Sequence, residues 1–519
     1  MSKQSRRTTR QARKTSAGHR LNKQEKKDLK EKRAKNHSIL HEEKNNTGTK
    51  IIPRTAASNK KSSATTVIEQ KIIYEDIVSA QIEAWRLILP GIIKRLSKIN
   101  DLRRPKSIKH SIAVLLFFGL LLFLFRIKSK RDFNAQMTGP GMFEFFHKLF
   151  PEINSIPHAD TITRILKTVN TESIEQVHIN MIKSLIKKKK FRKLLLSGKL
   201  PISIDGTQKM TRDDQLQEEG WQLRIIHKKE GDKCQQYVYV LEANITFANG
   251  LNIPLLTEYC YLEPEDYLDI NSKQDCELKA FYRLSNKIKK YFKRSKIIVL
   301  LDNLYACQNV INFLQRKKWD FMIKLPAKLK TLGSQLQDSN ISPVEIPNQA
   351  YYRERHQKFI WINDVDYKGN KIHIIRCYET WKEVSRTTGN IITKRSEHTW
   401  ISCCEFNIEN LHERCNLAAR TRAFIEDNFN TEKNRGYQYK HAFCYDWNAM
   451  KNFHLLMRLA HAINILSEFT KRLKKYIRSL GVLNTCKNIF ETIKHCWISV
   501  KFMDEELKKT PQLKFDFSQ

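Results

Sequence analysis

The run Lys296–Asp302, in which five consecutive apolar residues end on a carboxylate, constrains the fold more than any other stretch of the chain. A strand with one solvated face alternates apolar and polar side chains, so an unbroken run reads as a strand covered on both faces. Such a strand sits inside a sheet with helices packed on its sides. A second short strand, Leu200–Asp205, also ends on an aspartate and leads into Gly206 and Thr207.

The elements around these two strands complete a pattern. A polar loop follows Asp205; Gln236–Phe247 alternates as a strand, Asn249 and Gly250 supply a hairpin turn, and Leu251–Tyr259 returns. Ser272–Phe292 is amphipathic and helical, Leu304–Gln315 is a helix, and Asp320–Leu325 is a further strand. The order β-β-β-α-β-α-β with right-handed crossovers predicts an α/β (α+β) domain, a mixed sheet with flanking helices.

The flanks differ in texture. Residues 1–66 are rich in Lys, Arg, Ser, Thr and Asn and bury too little to offset their ordering entropy, so a basic disordered tail is expected, with Leu21–Ala34 able to form a charged helix. Residues 67–197 have helical periodicity (Ile68, Ile72, Ile73, Ile77, Ile82, Trp85) and end on the basic run Lys183–Lys193. Within them Asp160 or Thr161 is expected to cap a helix exposing Arg164 and Lys167. After the first part of the core (198–325), residues 326–406 read as a β-rich insertion, with strands at Tyr351–Asn363, Lys371–Tyr378 and Glu397–Cys404 and three tryptophans, Trp361, Trp381 and Trp400. Helix returns over 407–475, and 476–519 form a basic, partly helical tail.

Charge narrows the partner. Lys and Arg number 93 against 54 Asp and Glu, a net +39, which implies a polyanion: nucleic acid first, an anionic membrane surface second. The apolar run Ser111–Phe125 would reach only about 22 Å as a helix against a hydrocarbon core of about 30 Å, so it is expected to be a buried helix. The N-terminus has no apolar secretory signal. The 11 cysteines contain no CxxC, and the group Cys403, Cys404, His412 and Cys415 fits no familiar zinc spacing; reduced, mostly buried thiols in the cytoplasm are expected.

One further stretch carries chemistry. Ala419–Lys433 lacks Pro and Gly and reads as a helix, on which Arg422, Glu426 and Lys433 fall within an arc of roughly 40° while Asp427 points about 100° away. Taken alone it also reads as a solvated, salt-bridged helix. With Asp205 and Asp302 at the ends of two buried strands, Glu426 supplies a third carboxylate, and strand ends of such sheets are where ligands bind. Phosphodiester cleavage needs an activated nucleophile and a stabilised leaving oxygen; two Mg²⁺ ions held by a few carboxylates provide both. Arg422 and Lys433 beside them suit phosphate oxygens.

The series Ser203–Thr207, Val299–Asn303 and Arg422-x₃-Glu426-x₆-Lys433 resembles the DDE transposases of IS4-type insertion sequences, over roughly residues 110–470. The resemblance implies an RNase H-like core interrupted by a β-rich insertion and preceded by a helical DNA-binding domain. It implies Asp205, Asp302 and Glu426 as the metal-binding triad for Mg²⁺, with Mn²⁺ able to substitute, and Arg422 and Lys433 as contacts to the transposon-end backbone. The expected activity is cleavage at transposon ends and strand transfer of the 3′-hydroxyl into double-stranded target DNA, by a homodimer bridging two ends, in the bacterial cytoplasm at the nucleoid. Ala419 stands where that family has a Tyr. An RNase H-like nuclease without strand transfer, or a decayed copy that binds DNA without catalysis, are the alternatives.

Overall fold

The computed structural model describes residues 22–46, 64–213, 220–226, 233–261, 275–325, 343–348, 355–512 and 514–517. The chain divides into two units: Met1–Arg54 with Thr331–Ile362 and Ile375–Thr399, and Thr55–Lys330 with Asn363–Ile374 and Trp400–Gln519. In the first unit, helix α1 (Lys23–Asn46) occupies the described part of the segment expected to be a disordered tail. Its Asn36 side chain donates to the Gly389 carbonyl at 2.8 Å, a contact with a turn more than three hundred residues away that no local composition announces. Residues 1–21 and 47–63 of the expected tail lie outside the described residues, and Thr66 caps the helix that follows.

The second unit begins with α2 (Val67–Leu96), α3 (Ile112–Leu124), α4 (Lys130–Met137), α5 (Pro140–Leu149), α6 (Ala159–Thr168) and α7 (Thr171–Lys187). Every residue of α3 is buried, and Ser111 caps it by accepting the Val114 N–H at 3.3 Å. The rings of Phe117 and Phe146 meet edge-on at 5.8 Å, so the apolar run is a core helix, as its length requires. No described helix is long and apolar enough to cross a membrane. The cap of α6 is His158, whose Nδ1 accepts the Asp160 N–H at 3.2 Å, while Asn134 holds the other ring nitrogen at 2.8 Å. That fixed ring takes the place expected for Asp160 or Thr161; Arg164 and Lys167 are exposed as expected.

Then come β1 (Leu200–Arg212), β2 (Gln222–Ile226), β3 (Lys233–Thr246), β4 (Asn252–Cys260), α8 (Glu277–Tyr291), β5 (Ile297–Leu301), α9 (Gln308–Arg316) and β6 (Asp320–Lys324). This is the expected order with two differences: β1 does not end at Asp205 but runs on to Arg212, because β3 pairs with it that far, and β2, in the expected polar loop, pairs antiparallel with β3. All five residues of β5 are buried. β1 runs antiparallel to β3 and parallel to β5, and β5 runs parallel to β6.

The β-rich insertion provides β7 (Val344–Asn348), β8 (Arg355–Tyr367), β9 (Asn370–Val384) and β10 (Ile391–Ser402), so the chain is mixed α/β, with ten strands among the described residues. In the first unit the buried Glu379 ties β8 to β9, accepting from Arg355 at 2.5 Å and Gln357 at 2.6 Å. In the second unit, α10 (Phe424–Asn434) and α11 (Trp447–Glu468) follow, with α11 packed on α3 and β4. The last helices, α12 (Lys471–Leu480), α13 (Val482–Lys494) and α14 (Val500–Lys508), are no loose tail. Arg86 of α2 donates to the carbonyls of Glu506 at 2.8 Å, Leu507 at 2.9 Å and Lys509 at 2.7 Å, and α13 packs on α2. These carbonyls lie at the C-terminal end of α14, where backbone oxygens lack following N–H groups, so a guanidinium suits them.

Candidate active site

The register of two parallel strands brings the aspartates together. β1 and β5 pair from Leu200↔Ile297 to Ser203↔Leu300, and the same offset carried on two residues sets Asp205 beside Asp302. Residues level on neighbouring strands present side chains to the same face. Asp302 accepts the Leu304 N–H at 2.9 Å through Oδ1, and Asp205 accepts the Gly206 N–H at 3.1 Å through Oδ1. Both Oδ2 atoms then meet one cation. Arg422 Nη2 lies 3.3 Å from Asp205 Oδ2 and 3.5 Å from Asp302 Oδ2, while Nη1 lies 2.5 Å from Glu426 Oε1.

The helix expected from Ala419 is built in pieces: a π-helical turn over His412–Ala418, a 3₁₀ stretch over Ala419–Ala423, and α10. Arg422 sits in the tighter stretch and Glu426 in the first turn of α10, yet their spacing of four still lets them pair. Lys433, in the last turn, donates to the Thr207 hydroxyl and lies over the Tyr439 ring at 5.4 Å. Thr207 is two residues past Asp205 on β1, on the same face of the strand. All five sequence-predicted residues therefore gather along one edge of β1, and Asp427 is exposed.

Electrostatics sharpen the picture. Burial pushes the Asp205 carboxyl up to about 7; Arg422 opposes that shift, and Asp302, Glu277 and Glu426 add to it. Burial disfavours charge on Arg422, but Asp205, the Glu426 hydrogen bond and Asp302 more than offset it and raise its pKa. The three carboxylates are graded in exposure, 15% for Asp205, 26% for Asp302 and 60% for Glu426, so the cluster opens to solvent on the Glu426 side. The cation between the three carboxylates is the Arg422 guanidinium, and their donor atoms are all oxygens, the type that hard divalent cations take.

One neighbour carries no local motif. Glu277, first residue of α8, accepts from Tyr239 of β3 at 2.6 Å and from Tyr305 at 2.7 Å. Gly206 is what admits this clamp: a Cβ there would collide with the Tyr239 hydroxyl and the Glu277 carboxylate. Beneath α10 lies a buried charge network in which Arg458 reaches Glu432 at 2.9 Å and Glu242 at 3.1 Å, and His461 reaches Glu432 at 2.6 Å. Ala419 is buried, and so is Trp400, with the Arg420 guanidinium 5.7 Å from its ring; in the first unit Trp381 lies under Arg355 at 4.1 Å.

A mixed α/β fold in which Asp205 within β1, Asp302 just past β5 and Glu426 of α10 collect around one guanidinium defines the class of site. Residues 93–182, which span α3 to α6 and most of α7, match the family model described as DDE_Tnp_1-associated. That segment alone is similar to a domain associated with DDE transposases. No curated protein matches the chain.

Proposed function

We propose that this protein is a metal-dependent DDE transposase of the IS4 type with an RNase H-like core, which cleaves DNA at transposon ends and transfers the freed 3′-hydroxyl into target DNA. The observation that carries this reading is the meeting of Asp205, Asp302 and Glu426 on the Arg422 guanidinium, in a chain with a transposase-associated segment. Asp205, Asp302 and Glu426 would hold two Mg²⁺ ions. Bound Mg²⁺ supplies an acidified water and charge neutralisation at the leaving oxygen.

The protein's own groups do the rest. The parallel register fixes the two aspartates before any ligand arrives, so their placement costs little on binding. Arg422, no longer needed to balance the carboxylates, would serve a phosphate group as a bidentate donor. Lys433 sits one strand step from Asp205 and positions the backbone of the transposon end. Exposed Arg164, Lys167, Lys187, Lys188, Lys189, Arg192 and Lys193 provide the cationic surface for double-stranded DNA. A homodimer bridging two ends, acting at the bacterial nucleoid, completes the reading.

Intact and pre-cleaved transposon ends, each incubated with plasmid and Mg²⁺, test it. Integration that is lost in Asp205→Asn, with end binding retained, supports a transposase. Cleavage without joining of the 3′ ends indicates a nuclease, and cleavage that persists in Asp205→Asn overturns the site.

A further inference from the structure

Away from the carboxylates, β10 ends in two adjacent thiols held in a charged setting. Ser402 fixes the local turn: its Oγ donates to the Cys404 carbonyl at 2.8 Å and accepts the Cys404 N–H at 2.9 Å. Arg414 anchors that hydroxyl at 2.6 Å and grips both oxygens of Asp320 at 2.9 Å. Cys403 Sγ lies 3.0 Å from Asp320 Oδ1 and stays a thiol, its one proton placed between that carboxylate and the Cys404 sulfur. Cys404 lies 3.9 Å from the Cys403 sulfur, with the Lys199 ammonium 4.0 Å from its Sγ. Lys199 also pairs with Asp320 at 2.6 Å.

Within the cluster, two fixed cations, Lys199 and Arg414, face one carboxylate, Asp320. One positive charge is left over, and the group placed to balance it is the Cys404 sulfur. The same three side chains, Asp320, Cys403 and Cys404, bring ligand atoms close enough for a metal ion. Asp320 is already bound by both cations, however, and a further cation would add to the surplus of positive charge. A thiolate removes it.

We propose that Cys404 is a thiol-modification site whose thiolate exchanges with a low-molecular-weight disulfide. The Cys404 sulfur attacks one sulfur of the reagent; a Cys404 Sγ–S bond forms, the reagent's S–S bond breaks, and the departing thiolate takes a proton from water. Excess reduced thiol reverses the exchange. The Cys403 hydrogen bond first, then Arg414 and Lys199, hold the Cys404 thiol below its ordinary value, at about 7, against the opposing effects of burial and Asp320. Half-buried Cys404 is therefore set against the exposed Cys276 and Cys496, which accessibility alone would favour.

The test uses the full-length chain, limiting iodoacetamide and peptide mass spectrometry. Cys404 is expected to be alkylated ahead of Cys276 and Cys496 at pH 7, with a rate that reaches half its maximum near pH 7 rather than at the ordinary thiol value of about 8.5. Oxidised glutathione should add to the Cys404 peptide first, and dithiothreitol should remove it. Lys199→Gln should slow Cys404 by roughly threefold or more at pH 7 while Lys199→Arg does not, since charge and not shape sustains the thiolate. Labelling of Cys276 or Cys496 first overturns the proposal, as does a Lys199→Gln rate equal to the wild type. If Lys199→Gln fails to fold, the wild-type pH profile decides: a midpoint at the ordinary value overturns it.

Discussion

Asp205 and Asp302 stand level on adjacent parallel strands, and a single nitrogen of Arg422 lies 3.3 Å from an oxygen of one and 3.5 Å from an oxygen of the other. The strand pairing imposes the closeness of two like charges, and the sheet does not relieve it. Relief comes from a residue more than a hundred positions further along the chain.

That relationship predicts how the metal-free protein responds to losing Arg422. Arg422→Ala leaves three carboxylates facing one another, and the loss of a charged hydrogen-bonding partner costs about 1.5–3 kcal/mol. Its thermal midpoint in EDTA should fall below that of the wild type. Mg²⁺ should then raise the midpoint of the variant more than that of the wild type, because the cation replaces the missing charge. Scanning fluorimetry with and without Mg²⁺ reads both effects; equal midpoints in EDTA would dismiss the role given to the guanidinium.

The Asp205 carboxyl titrates near 7 in the folded chain against 3.8 as its ordinary value, and the sign follows from proton binding. A raised acid binds its proton more tightly when folded, so its contribution is complete below 3.8 and is lost as the pH rises through about 7. Metal-free stability should therefore decline across that window, and Asp205→Asn should flatten the decline and be the more stable protein at pH 8. Its catalysis should fall by more than the ~10–100-fold that disturbing a residue behind a metal ligand costs. Urea melts across pH check the first claim, and end cleavage checks the second.

How much of this was legible follows from range. β5 announces itself because a strand covered on both faces must be apolar throughout, and its run stops at Asp302. The start of β1 is legible up to Asp205, but its polar continuation to Arg212 is set by pairing with β3. Equal run lengths even carry the register that sets Asp205 beside Asp302. β2 is hidden because it is an edge strand with Arg224 and Ile225 exposed, which breaks the alternation that marks a strand. The 3₁₀ stretch at Ala419–Ala423 is hidden because α and 3₁₀ turns share residue preferences, and packing selects between them. Glu277 is hidden for a third reason: its partners Tyr239 and Tyr305 come from other elements, and only the folded chain assembles them.

The Glu277 clamp gives a prediction at Gly206. A methyl there meets the Tyr239 hydroxyl and the Glu277 carboxylate, neither of which moves freely, because Glu277 is also held by Tyr305. Gly206→Ala should cost about 1–3 kcal/mol, the range for overpacking a filled site. It should also weaken binding of Ca²⁺ as a non-catalytic probe, since the displaced backbone belongs to the residue after Asp205. Denaturation and calorimetry separate the two; unchanged stability would show that the clamp yields.

The network beneath α10 makes the strongest demand on stability. Glu432 and Arg458 are 0% and 1% exposed and lie 2.9 Å apart, with Glu242 and His461 completing the set. Removing one member leaves the other charged and buried, so Glu432→Leu should cost about 3–5 kcal/mol. Pairing it with Arg458→Met removes both charges, and the double variant should lose less than the sum of the single changes. Arg and His partners hold the Glu432 carboxyl well below its usual range despite burial, so its stabilisation is present at neutral pH and disappears as the pH falls through that lowered value. Since Glu432 precedes Lys433 and shares its helix with Glu426, the single variant should also lose DNA cleavage at temperatures where it remains folded. A double-mutant cycle by chemical denaturation gives the coupling; strict additivity would mean that Glu432 and Arg458 do not sustain each other.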